Sequence, residues 1–207
     1  MRGFIYTGGN ILAENITEHP RKEDLCIAAD SGYINARALG ERIDILVGDL
    51  DSIGSVSVPD SIERVTLPAE KDDTDTQAAV GIALERGCDE IIIVGGVGTR
   101  LDHSMSNLGI LEALRENGIY GYITNGYNRI HYIENDSILI AKSDYKYLSV
   151  IAADKTCRDV SVDGCKYPMK KKRLLRGMQF AVSNEICGNV ALVSVRRGAL
   201  YIIESRD

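Results

Sequence analysis

One change of rhythm constrains this chain more than any other feature. Up to about residue 124, short apolar runs alternate with helical patterns, and beyond it only short strand-like pieces remain. The runs Gly3–Tyr6, Leu25–Ala29, Ile43–Val47 and Ile91–Val94 are mostly apolar, with Asp44 the one charged interruption. A run without polar alternation suits a strand buried on both faces. Ile62–Leu67 and Ile119–Ile123 are weaker strand candidates. Between them lie helical patterns at Tyr33–Leu39, Thr76–Arg86 and Ser104–Glu116. In the last, Met105, Leu108, Leu111, Ala113 and Leu114 follow the i, i+3, i+4 recurrence of one buried face. Gly40, Gly87 and Gly118 each stand just past a helical pattern, where positive φ closes the last turn. Strand–helix alternation predicts a mostly parallel sheet with helices on both sides.

The second part reads differently. Arg129–Glu134, Ser137–Ala141, Tyr147–Ala152, Arg158–Val162, Met178–Val182, Val190–Val195 and Ala199–Ile203 are predicted strands, separated by Gly, Asn, Asp and Lys. Short strands at regular spacing predict a sandwich or a barrel. The expected fold class is therefore α/β plus all-β: a three-layer α/β domain over 1–125 and a β domain over 126–207. The chain has 207 residues, enough to bury a core without disulfide staples. Its net charge is −6, from 24 Lys and Arg against 30 Asp and Glu, which argues against a broad nucleic-acid surface. In that context the basic run Lys170-Lys171-Lys172-Arg173 reads as a solvated hairpin loop. No apolar run approaches the ~18 residues of a membrane span, and the apolar part of the first residues is too short for a signal peptide. The five cysteines include no CxxC pair, so neither a zinc site nor a disulfide framework is expected. A reduced, cytoplasmic setting fits that usage.

Chemistry collects where the predicted parallel strands end. Ligands of such sheets bind beyond the carboxyl ends of the strands. Thr7-Gly8-Gly9-Asn10 follows the first strand, Asp30-Ser31-Gly32 the second, and Gly48-Asp49-Leu50-Asp51-Ser52 the third. Gly95-Gly96-Val97-Gly98-Thr99-Arg100-Leu101-Asp102-His103 follows the strand ending at Val94, and Thr124-Asn125-Gly126 the last. Each alone could be an ordinary turn. Together they place glycines and carboxylates on one rim. Asp49 and Asp51, two apart in an extended segment, point to the same side. Paired carboxylates of this kind suit Mg²⁺, which completes its shell with waters and substrate phosphates. In Lys71-Asp72-Asp73-Thr74-Asp75-Thr76-Gln77, Asp73 or Thr74 can cap the following helix. Capping does not require all three aspartates, and a shared cation site with Asp30, Asp49 and Asp51 accounts for the remainder. The glycine-rich turn lacks the GK[ST] ending of a Walker A loop. It still puts backbone donors near a helix start, with Arg100 available for a phosphate. His103 has either an acid–base or phosphate role, or a hydrogen bond within its turn.

These motifs occur in the order and spacing of thiamine pyrophosphokinases, which the chain resembles over almost its whole length. The resemblance rests on Ala29-Asp30-Ser31-Gly32, Val47-Gly48-Asp49-Leu50-Asp51-Ser52, Lys71-Asp72-Asp73-Thr74-Asp75 and Gly95–His103. Gly177–Glu185, with Ser183 and Asn184, and Arg197-Gly198-Ala199-Leu200 extend it to the second part. It implies an α/β domain followed by a β-sandwich, in a homodimer with the active sites at its interface. It also implies transfer of a pyrophosphoryl group from ATP to the hydroxyl of thiamine, giving thiamine diphosphate and AMP. The implied Mg²⁺ and ATP ligands are Asp49, Asp51 and Asp75, with Asp30 and Asp72 close by. Ser31, Gly32, Lys71, Gly96, Gly98, Arg100, Asp102, His103 and Asn125 complete the expected ATP site. Thr74, Gln77, Ser183 and Asn184 are expected at thiamine. The sequence has Leu50 where the family often has Phe, and no tryptophan to stack on thiamine. Two other readings compete: a Mg²⁺-dependent phosphohydrolase of haloacid-dehalogenase type, and a non-catalytic nucleotide-binding module. The first fits less well, because Ser52-Ile53 follows Asp51 and the Asp-x-Asp follows the third strand, not the first.

Overall fold

A computed structural model describes residues 1–48, 57–66 and 74–207, which form two compact units, Met1–Gly126 and Tyr127–Asp207. The first holds strands β1 (Arg2–Tyr6), β2 (Leu25–Ala29), β3 (Ile45–Val47), β4 (Glu63–Val65), β5 (Glu90–Val94) and β6 (Tyr120–Thr124). Its helices are α1 (Gly32–Ala38), α2 (Asp75–Glu85) and α3 (Leu101–Glu116). The strands lie in the order β4-β3-β2-β1-β5-β6, each parallel to its neighbours. The chain moves outward from β1 to β4, then returns to lay β5 on the other side of β1. The strand order thus reverses at β1, and in such sheets a crevice opens beyond the carboxyl ends of the strands at that point.

The apolar runs are strands for the expected reason. Ile91, Ile92, Ile93 and Val94 are all fully buried, as a central parallel strand between two helical layers requires. On one face, Phe4, Tyr6, Cys26, Ile92 and Val94 pack with Ala36 of α1. Gly40, Gly87 and Gly118 follow the three helices with φ of 73°, 85° and 73°, which a side chain would oppose. Two elements of this unit start two or more residues from expectation. Strand β3 begins at Ile45 rather than Ile43, because Asp44 turns its carboxylate to accept from the Cys26 N–H at 2.9 Å. Helix α3 begins at Leu101 rather than Ser104, since Leu101, Asp102 and His103 are all exposed and add nothing to the buried face.

The second unit contains β7 (Asn128–Glu134), β8 (Ser137–Ala141), β9 (Tyr147–Ala152), β10 (Thr156–Asp163), β11 (Met169–Leu175), β12 (Val190–Ser194) and β13 (Ala199–Ser205). Its antiparallel layers β7-β13-β9 and β11-β10-β12-β8 enclose Val150, Val160, Leu174, Val193, Leu200 and Ile202. The unit is a sandwich. Two segments differ from the sequence expectation. Lys170–Arg173 is not a hairpin loop but the middle of β11, and Met178–Val182 is not a strand. Strand β11 lies at the sheet edge with Lys170, Lys171, Lys172 and Arg173 all exposed, so it shows no apolar alternation. Lysines on an edge also deter pairing with other chains. In the other segment Met178, Phe180 and Val182 face solvent, and it meets β9 through the Val150 N–H donating to Ala181 O at 2.7 Å. Among the described residues no helix is long and apolar enough to cross a membrane.

Candidate active site at the sheet crevice

A cavity of about 400 Å³ occupies the crevice beyond β1, β2 and β5, bounded by the N-termini of α2 and α3. Thr7, Gly8 and Gly9 reach it from β1, and Asp30 and Ser31 from β2. Thr74, Asp75 and Thr76 come from α2; Gly95, Gly96, Gly98 and Arg100 from the loop after β5; His103 and Asn107 from α3. Of the residues singled out in the sequence, Asp30, Ser31, Thr74, Asp75, Gly96, Gly98, Arg100 and His103 share this cavity. Asp49, Asp51, Lys71 and Asp72 lie outside the described residues. Among the described residues no three His, Cys, Asp or Glu side chains form a metal-holding group. Ser183 and Asn184 belong to the second unit.

The cavity is shaped by close backbone approaches. A Cβ on Gly32 would stand 1.9 Å from Tyr6 O, so only glycine lets α1 start against the end of β1. A Cβ on Gly9 would stand 2.1 Å from Gly95 O; the loops after β1 and β5 touch there. Asp30 sits at φ 51°, in the left-handed region that aspartate tolerates better than most residues. Its N–H donates to Val47 O at 2.8 Å. That bond ties the end of β2 to β3 and sets the carboxylate on the rim.

Helix α2 starts with a capping box. Thr74 Oγ1 accepts from the Gln77 N–H at 3.2 Å, and Gln77 Oε1 accepts from the Thr74 N–H at 2.9 Å. Gln77, expected at thiamine, thus has its side-chain oxygen engaged at the helix start. Arg100 donates to Asp102 through Nε at 3.2 Å and Nη2 at 2.5 Å. This hydrogen bond from Arg100 holds the Asp102 carboxyl below the ordinary carboxylate range. Both side chains are exposed, and a surface pair of this kind is weak enough for a phosphate to displace. The Gly98 N–H donates to Ser104 Oγ at 3.1 Å and is therefore already engaged. What Gly98 contributes is clearance, since a Cβ there would meet Asn10 N at 3.1 Å.

Sequence reading missed three polar side chains that brace this rim, two of which, Ser104 and Asn107, also line the cavity. Ser104 Oγ donates to Arg100 O at 3.0 Å, closing the first turn of α3. Asn107 Nδ2 donates to Gly96 O at 2.7 Å, and Asn35 Nδ2 donates to Thr7 O and Gly9 O at 2.6 and 2.7 Å. Asn125, which was expected here, donates to Val97 O at 3.3 Å. One pattern would have flagged α3: Ser104 and Asn107 continue the buried face of Leu111 and Leu114 as polar residues. A buried polar side chain on an apolar face needs a partner, and here it is the loop after β5.

In the second unit a cavity of about 230 Å³ is lined by Asn184, Tyr167, Phe180 and Met169 among others. Asn184 is buried and pins the Tyr167 peptide, donating to its carbonyl at 2.8 Å and accepting from its N–H at 3.0 Å. Ser183 does not line the cavity; it lies at φ 55° and its N–H donates to Ser149 Oγ at 2.9 Å.

Family models match both units. One, described as thiamin pyrophosphokinase, catalytic domain, matches residues 17–123, and another, its vitamin B1 binding domain, matches residues 132–200. The chain belongs to the thiamin pyrophosphokinase family. A thiamine pyrophosphokinase of Bacillus subtilis is 28% identical over 206 residues, covering 97% of this chain and 96% of that protein. A thiamin pyrophosphokinase of Caenorhabditis elegans is 24% identical over 201 residues, covering 93% and 82%. The crystal structure of a thiamine pyrophosphokinase from Bacillus subtilis superposes with a TM-score of 0.87 at 25% identity, covering both chains fully. That of a thiamin pyrophosphokinase from Geobacillus thermodenitrificans has a TM-score of 0.84 at 24% identity, over 100% of this chain and 98% of that one, and shows the fold.

Proposed function

We propose that this member of the thiamin pyrophosphokinase family moves a pyrophosphoryl group from ATP to the hydroxyl of thiamine, releasing AMP. The observation that carries the reading is the meeting, in one 400 Å³ cavity, of two glycine-lined loops with Asp30, Asp75 and Arg100. Glycines let backbone come close to a polyphosphate, while carboxylates at the same rim would repel it unless a cation intervened. Asp30 and Asp75 line this rim with carboxylate oxygens, the donor type that suits Mg²⁺. Asp49, Asp51 and Asp75 are the residues proposed to hold that ion. When bound, Mg²⁺ supplies neutralisation of phosphate charge.

The chemistry asks for alignment more than covalent participation. The thiamine hydroxyl oxygen bonds to the β-phosphorus of ATP as the bond from that phosphorus to the α,β-bridging oxygen breaks. The hydroxyl proton passes to solvent water, and AMP departs with the bridging oxygen. Arg100, released from Asp102, offsets charge growing on AMP, with Lys71 as its expected companion. Asp72 or Asp75 orients the hydroxyl. His103 lies close enough to the cavity to contact the phosphates. For thiamine, the second unit offers the cavity pinned by Asn184 and lined by Tyr167 and Phe180, side chains of the kind that suit a cationic heterocycle. That supplies an aromatic wall in a chain without tryptophan. The assembly proposed is a homodimer in which the thiamine site is completed between two chains.

The test is a coupled assay of AMP with ATP, thiamine and Mg²⁺. Thiamine-dependent AMP release is expected, and Asp51→Ala should reduce it at least a hundredfold, as loss of a charge-neutralising ligand would. Phosphate release without thiamine would favour a phosphohydrolase, and ATP binding without turnover a binding module.

A further inference from the structure

Two asparagines brace the phosphate-facing rim without belonging to any motif read from the sequence, Asn107 from the cavity wall itself and Asn35 from α1. Asn107 is buried on α3, and its Nδ2 donates to Gly96 O at 2.7 Å. Asn35, half-buried on α1, donates both Nδ2 protons, one to Thr7 O at 2.6 Å and one to Gly9 O at 2.7 Å. The partners are all carbonyls, which only accept, so each amide must present its nitrogen to them. The clamped carbonyls sit at the two places where the loops after β1 and β5 line the cavity and where Gly9 presses on Gly95.

A carbonyl oxygen carries partial negative charge. In a site for polyphosphate, each one facing inward would oppose binding, and each one buried without a donor would be costly. An amide donor settles both difficulties, since it turns the carbonyl toward itself and satisfies it. Asn35 anchors its loop to the helix on one side of the sheet crossover, and Asn107 anchors its loop to α3. Preorganised dipoles of this kind act without any reorganisation when the anion arrives.

We propose that Asn35 and Asn107 are positioning residues for the triphosphate of the nucleotide, holding loop carbonyls off the anion. The inference rests on the ATP site of the proposed function. It makes a demand that a merely structural role would not: the loss must scale with phosphate charge. The variants are Asn35→Leu and Asn107→Leu, which keep volume and remove the donor. Dissociation constants for ATP, ADP, AMP and adenosine are measured by calorimetry at fixed Mg²⁺, with thiamine absent. Each variant should weaken ATP about tenfold, on the scale of the one hydrogen bond lost at Asn107 or the two at Asn35, ADP less, and AMP and adenosine less than twofold. In steady state, KM for ATP should rise by the same factor while KM for thiamine stays within twofold. If the leucine variants do not fold, Asn35→Thr and Asn107→Thr retain a shorter donor, and a smaller rise in the same order is expected. Equal weakening of all four ligands, or no weakening in a folded variant, overturns the proposal, as does wild-type protein that binds no ATP. Wild-type protein that binds ATP but makes no AMP from thiamine sinks the proposed reaction instead, while the four dissociation constants still judge the asparagines.

Discussion

Replacing Gly9 by alanine tests how tightly the crevice is built. The added Cβ would stand 2.1 Å from Gly95 O and 3.1 Å from Val97 O. Carbon and carbonyl oxygen approach comfortably to about 3.3 Å, so the shortfall is about 1.2 Å. The obstructing atom is backbone and cannot swing aside. Gly95 is held by its N–H donating to Thr124 O at 2.8 Å, and the next carbonyl is held by Asn107 at 2.7 Å. One of the two loops must therefore move by about 1 Å, a displacement that costs on the order of a hundredfold where reacting groups are aligned. That is about 2.7 kcal/mol of transition-state stabilisation. Overpacking itself costs about 1–3 kcal/mol of stability, which lowers Tm by about 2–12 °C in a chain this long. The assay is kcat/KM for ATP from initial rates of AMP release, beside a thermal melt by circular dichroism. The control is Gly81→Ala in α2, where nothing lies within 4 Å of the new Cβ. It should leave activity within twofold and raise Tm by about 2–4 °C through helix propensity. Folded Gly9→Ala protein with kcat/KM within threefold of wild type would refute the reasoning.

Other consequences concern stability. Thr74→Ala removes the hydroxyl acceptor of the capping box and should cost about 1 kcal/mol, read as a Tm lowered by about 2–4 °C. In the second unit, Glu204 is buried and accepts from Ser143 Oγ at 2.8 Å and from Arg129 Nη1 at 3.2 Å. Burial alone would raise its pKa, but bonding to His131 and the charge of Arg129 outweigh it and hold the carboxyl below the ordinary value. Glu204 therefore stabilises the fold above the unfolded pKa of about 4.3, and the contribution fades as pH falls through the lower folded pKa. Glu204→Gln should cost about 3 kcal/mol at pH 7, because Arg129 is left without its carboxylate. Urea titrations should show wild type and variant converging as the medium becomes acidic. A difference that stays constant down to pH 3 would exclude the ion pair as its source.

Several features of the fold were legible because they belong to a residue and its near neighbours. Burial on both faces writes an unbroken apolar run at Ile91–Val94, and a left-handed turn after a helix calls for Gly40, Gly87 and Gly118. The helix start at Thr74 follows from a hydroxyl three residues before an amide, with both hydrogen bonds inside four residues. Glycines and aspartates after successive strands pointed to one rim, and the structure places Asp30, Asp75, Gly96 and Arg100 around one cavity. The same local logic misread Lys170–Arg173, because an edge strand takes its order from the neighbour it pairs with and leaves no apolar alternation.

By itself, then, the sequence determined the two kinds of rhythm, the helix ends and the chemistry available at the strand ends, all properties carried over a few residues. Only the tertiary structure decided that β1 and β5 lie side by side, which presses Gly9 against Gly95 across 86 positions of chain. It also decided that Asn35 and Asn107 would meet loop carbonyls rather than solvent. The reason is physical: a carbonyl's partner depends on which distant segment packs beside it, and neither periodicity nor conformational preference encodes that neighbour.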